Sequence, residues 1–141
     1  MFLKTNVSGD RIPKQEGGFL AVIETITADK TMTVEESGRT FMLDAVGEAI
    51  TLPAVKSGLC YKFVCSVVTA TTDWTITAAT AVIQGSAQVA GAVIPAANES
   101  LITLVIAKFL PGDWISLVSD GTNWYVEGSV VTTVGVTFTA P

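Results

Sequence analysis

The chain of 141 residues contains no histidine and only two cysteines. The first absence removes Ser/His and Cys/His nucleophilic sites together with any metal site built on imidazole, and two separated cysteines do not complete a zinc motif. Positive charge is scarce: eight Lys and Arg stand against thirteen Asp and Glu, a formal net charge of −5 at neutral pH. With no basic stripe to neutralise phosphates, nucleic acid is excluded as a partner class. No stretch approaches the ~18 uninterrupted apolar residues that suggest a membrane span, and Met1–Asn6 lacks the apolar run and small-residue cleavage site of a secretory leader. The expectation is a soluble chain made in the cytoplasm, with no membrane partner. Helical periodicity is missing as well, so no glycine loop runs from a strand into a helix to hold a phosphate. No cofactor is expected.

What is present is apolar. Hydrophobic residues make up 49% of the chain and charged residues 15%, which rules out disorder and leaves few charges to keep a lone monomer soluble. Part of the apolar surface is therefore expected to be buried between subunits. Cys60 and Cys65 sit five apart in one predicted strand, about 16 Å from end to end and on opposite faces. A disulfide needs Cα atoms within about 7 Å, so both are expected as buried free thiols.

Residues 1–18 carry Lys4, Arg11, Lys14, Asp10 and Glu16 among glycines and Pro13, with no periodicity. They read as an extended arm, either a frayed terminus or a segment that orders on a neighbouring subunit through Phe2, Leu3 and Ile12. A single β domain is expected over 19–141. Alternation predicts strands at Glu24–Thr27 and Thr31–Glu35 around an Ala28-Asp29-Lys30 turn, then at Thr40–Asp44 and Glu48–Leu52. Leu59–Thr69 follows, with Tyr61, Phe63, Cys65 and Val67 on one face. Trp74–Ala78 and Ala81–Gln84 come next, the latter ended by Gly85 and Ser86. Ala87–Ala97, small and apolar, reads as a strand and loop or as a short covered segment. Ser100–Leu110 is the most hydrophobic run and reads as one strand apolar on both faces. Its Ile102, Leu104 and Ile106 are expected under another sheet, the arm or a neighbouring subunit. Val130–Thr139 is a strand-competent tail able to pair with an edge in its own subunit or another.

The most legible stretch is Gly112–Gly128, where strands at Trp114–Ser119 and Trp124–Glu127 flank the turn Asp120-Gly121-Thr122-Asn123. The only catalytic option left by the missing histidine is a pair of carboxylates, as in glycoside hydrolysis, drawn from Asp73, Asp113, Asp120 and Glu127. The three aspartates sit at turn or strand-entry positions, where backbone bonding explains them, and Glu127 sits at a strand end. No catalytic residue is assigned and no enzyme is expected. Trp74, Trp114, Trp124 and Tyr125 suit either sugar stacking or a core or subunit interface, with core or interface favoured.

The hairpin, preceded by Ala49-Ile50-Thr51-Leu52-Pro53-Ala54, Gly58, Tyr61-Lys62-Phe63-Val64, Trp74-Thr75-Ile76-Thr77 and Val82-Ile83-Gln84-Gly85, resembles small β modules of tailed-bacteriophage virion proteins. The likeness covers residues 40–128 and is to head decoration (cement) proteins and to fibre or tail-tip domains. It implies a homotrimer, with the major capsid protein and other copies of itself as partners. The implied place is the outer capsid surface of the virion, where such a protein stabilises the shell by bridging capsomers. The alternative it implies is a receptor-binding tail-fibre or tail-tip domain recognising host carbohydrate. The expected fold is all-β: a single-domain antiparallel β-sandwich or barrel with an extended N-terminal arm.

Overall fold

Alternating apolar and polar residues, dense in valine, isoleucine and threonine, build strands throughout the computed structural model, which describes residues 20–44, 46–68 and 71–140. In chain order these are β1 (Ile23–Ile26), β2 (Lys30–Thr31), β3 (Thr40–Leu43), β4 (Ala49–Thr51), β5 (Cys60–Cys65), β6 (Trp74–Thr77), β7 (Ile83–Val89), β8 (Ala92–Glu99), β9 (Leu101–Leu104), β10 (Trp114–Ser119), β11 (Trp124–Val130) and β12 (Val136–Thr139). A single 3-10 turn at Val34–Glu36 is the only helical element among the described residues.

The strands form a seven-stranded sheet in the order β1-β3-β5-β10-β11-β7-β8 and a five-stranded sheet in the order β12-β9-β6-β4-β2. The fold is all-β and a two-layer sandwich accounts for it. It is not antiparallel, however. Through β6 the chain alternates between layers, so β1, β3 and β5 run parallel in one sheet and β2, β4 and β6 run parallel in the other. The later strands add antiparallel pairs at β5–β10, β10–β11, β7–β8, β6–β9 and β9–β12, and one parallel pair at β11–β7. Both sheets are therefore mixed. Among the described residues both also end in free edges, which leaves a sandwich rather than a closed barrel.

The expected hairpin at 24–35 is corrected by this alternation, since β1 and β2 belong to different sheets. The Asp29 carboxylate accepts the Ala49 N–H at 2.8 Å, and Lys30 pairs with Glu36 at 2.7 Å and Glu24 at 3.2 Å, carrying the chain across to the second layer. Glu36 also accepts the Thr33 N–H at 3.1 Å, which starts the 3-10 turn where a strand was expected. Gly85 does not end its strand. It lies inside β7 at φ 118°, and a Cβ there would stand 2.3 Å from the Val126 carbonyl oxygen, so glycine permits the close approach of β7 to β11. The small-residue stretch that follows is a long hairpin rather than a loop, with β7 and β8 joined by Ala90-Gly91.

The run Ser100–Leu110 is not one strand. β9 stops at Leu104, Val105 accepts the Lys108 and Phe109 N–H groups at 3.0 Å, and Ala107 sits at φ 60° in a turn. The tail splits too: β11 extends to Val130, and β12 pairs antiparallel with β9 of its own chain.

Between the layers lies one core. Phe41, Leu43, Phe63, Ile115, Leu117 and Trp124 from the larger sheet meet Ile50, Ile76, Ile102 and Leu104 from the smaller, all fully buried. Phe41 stacks on Phe63 at 5.6 Å, and Tyr61 tilts against Trp124 at 5.7 Å. Two polar tips in the core have partners: Tyr61 Oη donates to the Thr33 carbonyl at 2.6 Å and Trp74 Nε1 to the Asp44 carbonyl at 3.3 Å. The 114–130 hairpin sits mid-sheet between β5 and β7.

Candidate functional site

The three aspartates among the candidate carboxylates bond to the backbone. Asp73 accepts the Ile106 N–H at 2.6 Å. Asp113, 4% exposed, accepts the Leu110 N–H at 2.8 Å and the Val131 N–H at 3.2 Å. Asp120 accepts the Thr122 and Asn123 N–H groups at 2.8 Å and the Tyr125 hydroxyl at 3.1 Å. These donors, Asn123 first, hold its carboxyl below the usual range. Glu127 is exposed on β11.

The aromatics divide. Trp74 and Trp124 are buried in the core. Trp114 and Tyr125 stand on the outer face of the larger sheet, where the Lys62 ammonium lies 4.7 Å from the Trp114 ring centroid. In the β10–β11 register Trp114 faces Ser129 and Tyr125 faces Val118, so the two rings are about four residues, roughly 13 Å, apart along the ladder. They do not form one stacking platform.

Of the residues proposed for partner contact, Phe2, Leu3 and Ile12 lie outside the described residues. Ile102 and Leu104 are 0% exposed and fill the chain's own core, so neither presents a surface to a partner. Ile106 is half-buried in the turn that Asp73 anchors. The apolar second face of the 100–110 run is thus covered from within the chain.

Exposed apolar surface gathers elsewhere. The edge strand of the larger sheet, β8, and the edge strand of the smaller, β12, leave the layers open along one seam. There a cleft of about 350 Å³ is lined by half-exposed Val134 and half-buried Ile94 and Phe138, with buried Val89 and Val136 at its base. Two of its lining residues hold a backbone conformation that L side chains disfavour: Ala90 at φ 51° and Val134 at φ 52°. Ala90 and Gly91, both at positive φ, make the tight β7–β8 turn, and the Ala90 N–H donates to the Val130 carbonyl at 2.8 Å, fastening the hairpin tip to the end of β11.

Val134 is the sharper case. A β-branched residue in the left-handed region is a backbone outlier, with a cost of ~1–2 kcal/mol for the conformation, and here the side chain remains half exposed. Gly135 beside it is buried, and a Cβ there would stand 2.8 Å from the Lys108 carbonyl oxygen. The loop is thereby fixed with Val134 at the cleft. Val93 and Val131 are each more than 60% exposed, Val93 on the face of β8 opposite to Ile94 and Val131 at the start of the loop that leads to Val134. Pro95 interrupts the donors of β8, which suits an edge that does not take another strand and leaves side chains as the means of contact.

The chain matches no family model, no curated protein and no solved structure. The seam is apolar and concave, and no cluster of three or more metal-ligating side chains occurs among the described residues. Sequence reasoning missed it because nothing in Thr132-Thr133-Val134-Gly135 announces a left-handed valine. The available signal was the proline within a stretch of small apolar residues, which marks an edge strand.

Proposed function

We propose that this protein is a bacteriophage capsid decoration protein that binds the outer shell and stabilises it by bridging capsomers, acting as a homo-oligomer. The open seam between β8 and β12 carries the reading, because it offers an apolar contact surface while Asp73, Asp113 and Asp120 serve the backbone. The resemblance of residues 40–128 to virion β modules supports the same role. In this reading the seam joins copies to one another, and the assembly spreads many modest contacts over the shell, where avidity multiplies them. Sugar recognition is less well supported, since two of the four aromatic residues considered for it are in the core.

The test is thermal. Particles assembled with and without this chain are heated and shell opening is followed by light scattering and by dye access to the packaged genome. Decoration requires a higher opening temperature with the chain present and hundreds of copies per particle. Equal opening temperatures, or only a few copies at the tail, refute it.

A further inference from the structure

The seam and the N-terminal exit of the domain lie at opposite edges of the seven-stranded sheet. Strand β8 bounds the seam, while β1 receives the chain from residues 1–19, which lie outside the described residues. Six strand spacings separate these edges, about 29 Å. At the exit, Leu20, Val22 and Ile23 are 82%, 57% and 61% exposed, and among the described residues the outer rim of β1 has no strand beside it. A donor segment at one edge and an acceptor cleft at the other are the two halves of a head-to-tail contact, which closes into a ring when the rotation permits.

We propose that the seam between β8 and β12 receives the N-terminal segment, residues 1–19, of a second copy of this chain. This deepens the reading of the seam as the contact between copies and rests on it. Three observations identify the occupant. The segment supplies Phe2, Leu3 and Ile12, apolar side chains of the kind that line the cleft. Fully extended, 19 residues reach about 60 Å; returning to the chain's own seam uses about half of that reach to cross the sheet, whereas a neighbour's seam set beside β1 needs fewer residues to be immobilised. The net charges also differ in sign, with three basic and two acidic residues on the segment against five basic and eleven acidic on the rest of the chain, and the cleft itself is lined by uncharged residues. Val134, held at the cleft at φ 52°, is the contact residue of the acceptor side.

Photocrosslinking on the full-length chain, without any shell, decides it. p-Benzoylphenylalanine replaces Phe2, and isotopically heavy and light copies are mixed in equal amounts, irradiated, digested and examined by mass spectrometry. The expected products join the N-terminal peptide to residues 89–94 or 133–138 and contain one heavy and one light partner, in a sample that sizes as a small closed oligomer. Val134→Asp, which puts a charge into the cleft, lowers the yield by about tenfold or more, as a loss of ~1.4 kcal/mol in binding requires. Val134→Gly keeps the positive φ without strain, so it folds even if the aspartate variant does not, and it too lowers the yield. Attachment to other parts of the chain, products confined to one copy, or an unchanged yield in Val134→Gly overturns the proposal. Because no shell is present, this outcome is separate from that of the particle-heating test.

Discussion

Removing the Asp113 carboxylate is the sharpest probe of the structure, because one buried side chain ties together three parts of the chain. It enters β10, caps the turn at Leu110 with a 2.8 Å hydrogen bond, and holds Val131 at the start of the loop that shapes the seam with a 3.2 Å hydrogen bond. In Asp113→Ala both N–H groups lose a charged acceptor in a site only 4% exposed. Hydrogen bonds to charged groups contribute ~1.5–3 kcal/mol each. The longer bond to Val131 and the access of water to the loop place the total near the lower end, about 3 kcal/mol. For a domain of this size each 1 kcal/mol moves the melting temperature by ~3–4 °C, so a fall of about 10 °C is expected. Asp113→Asn keeps one acceptor but turns an amide donor toward the second N–H, and is expected to lose at least half as much. Urea unfolding followed by tryptophan fluorescence measures this directly, since Trp74 and Trp124 are buried. The midpoint should fall with an unchanged denaturant slope. A loss below about 1 kcal/mol for the alanine variant would refute the assignment of Asp113 as a structural anchor.

Gly85→Ala combines a left-handed backbone with a Cβ 2.3 Å from the Val126 carbonyl oxygen, and should cost more than about 3 kcal/mol, read as a melting-temperature drop of ~10 °C or as failure to fold. Gly91→Ala, whose added Cβ meets open space, should lose only ~1 kcal/mol in the same scan. The Cys65 thiol lies 3.3 Å from the Phe109 carbonyl, and burial, with the Asp113 charge nearby, pushes its pKa up to about 11; it should resist alkylation at pH 8 until the chain unfolds, while half-buried Cys60 reacts first. Stability should also fall in acid. Burial works against the charge on Glu36, but the Lys30 ammonium and Thr33 N–H outweigh it and hold its carboxyl below the ordinary value, as backbone donors do for Asp120. Their contribution is complete above the unfolded carboxylate range near pH 4 and is lost as pH falls through the lower folded values. Glu36→Gln should flatten the slope of urea stability against pH between about pH 5 and 2.

Strand positions were largely legible in the sequence, and strand partners largely were not. The 114–130 hairpin declared both, because Asp120 and Gly121 occupy a turn whose side-chain and backbone bonds suit those residue types. The β7–β8 hairpin declared neither: its turn is Ala90-Gly91, and alanine gives no hint of the positive φ it adopts. Alternation at 23–51 identifies strands but does not reveal that successive ones lie in opposite layers, a choice made by Asp29 and Lys30 through contacts distant in sequence. Hydrophobicity misled at 100–110, where Phe109 is buried from a turn rather than from a strand and the carboxylates of Asp73 and Asp113 end the extended chain. The seam was out of reach for a related reason. It depends on two sheet edges coming together, and on a valine in a conformation its residue type disfavours.

The back-and-forth path of β1 to β6 also has a kinetic consequence. When β6 leaves the ribosome, each layer holds three short parallel strands, and one face of each layer's last strand still awaits a partner: β10 for β5 and β9 for β6. Both partners come from the second half of the chain. No early hairpin exists to fold independently, and the closing contacts are distant in sequence, which places folding among the slow, high-contact-order β proteins. The nascent first half should therefore remain open until almost the whole domain has been synthesised, and the finished domain should lose both layers in a single cooperative step.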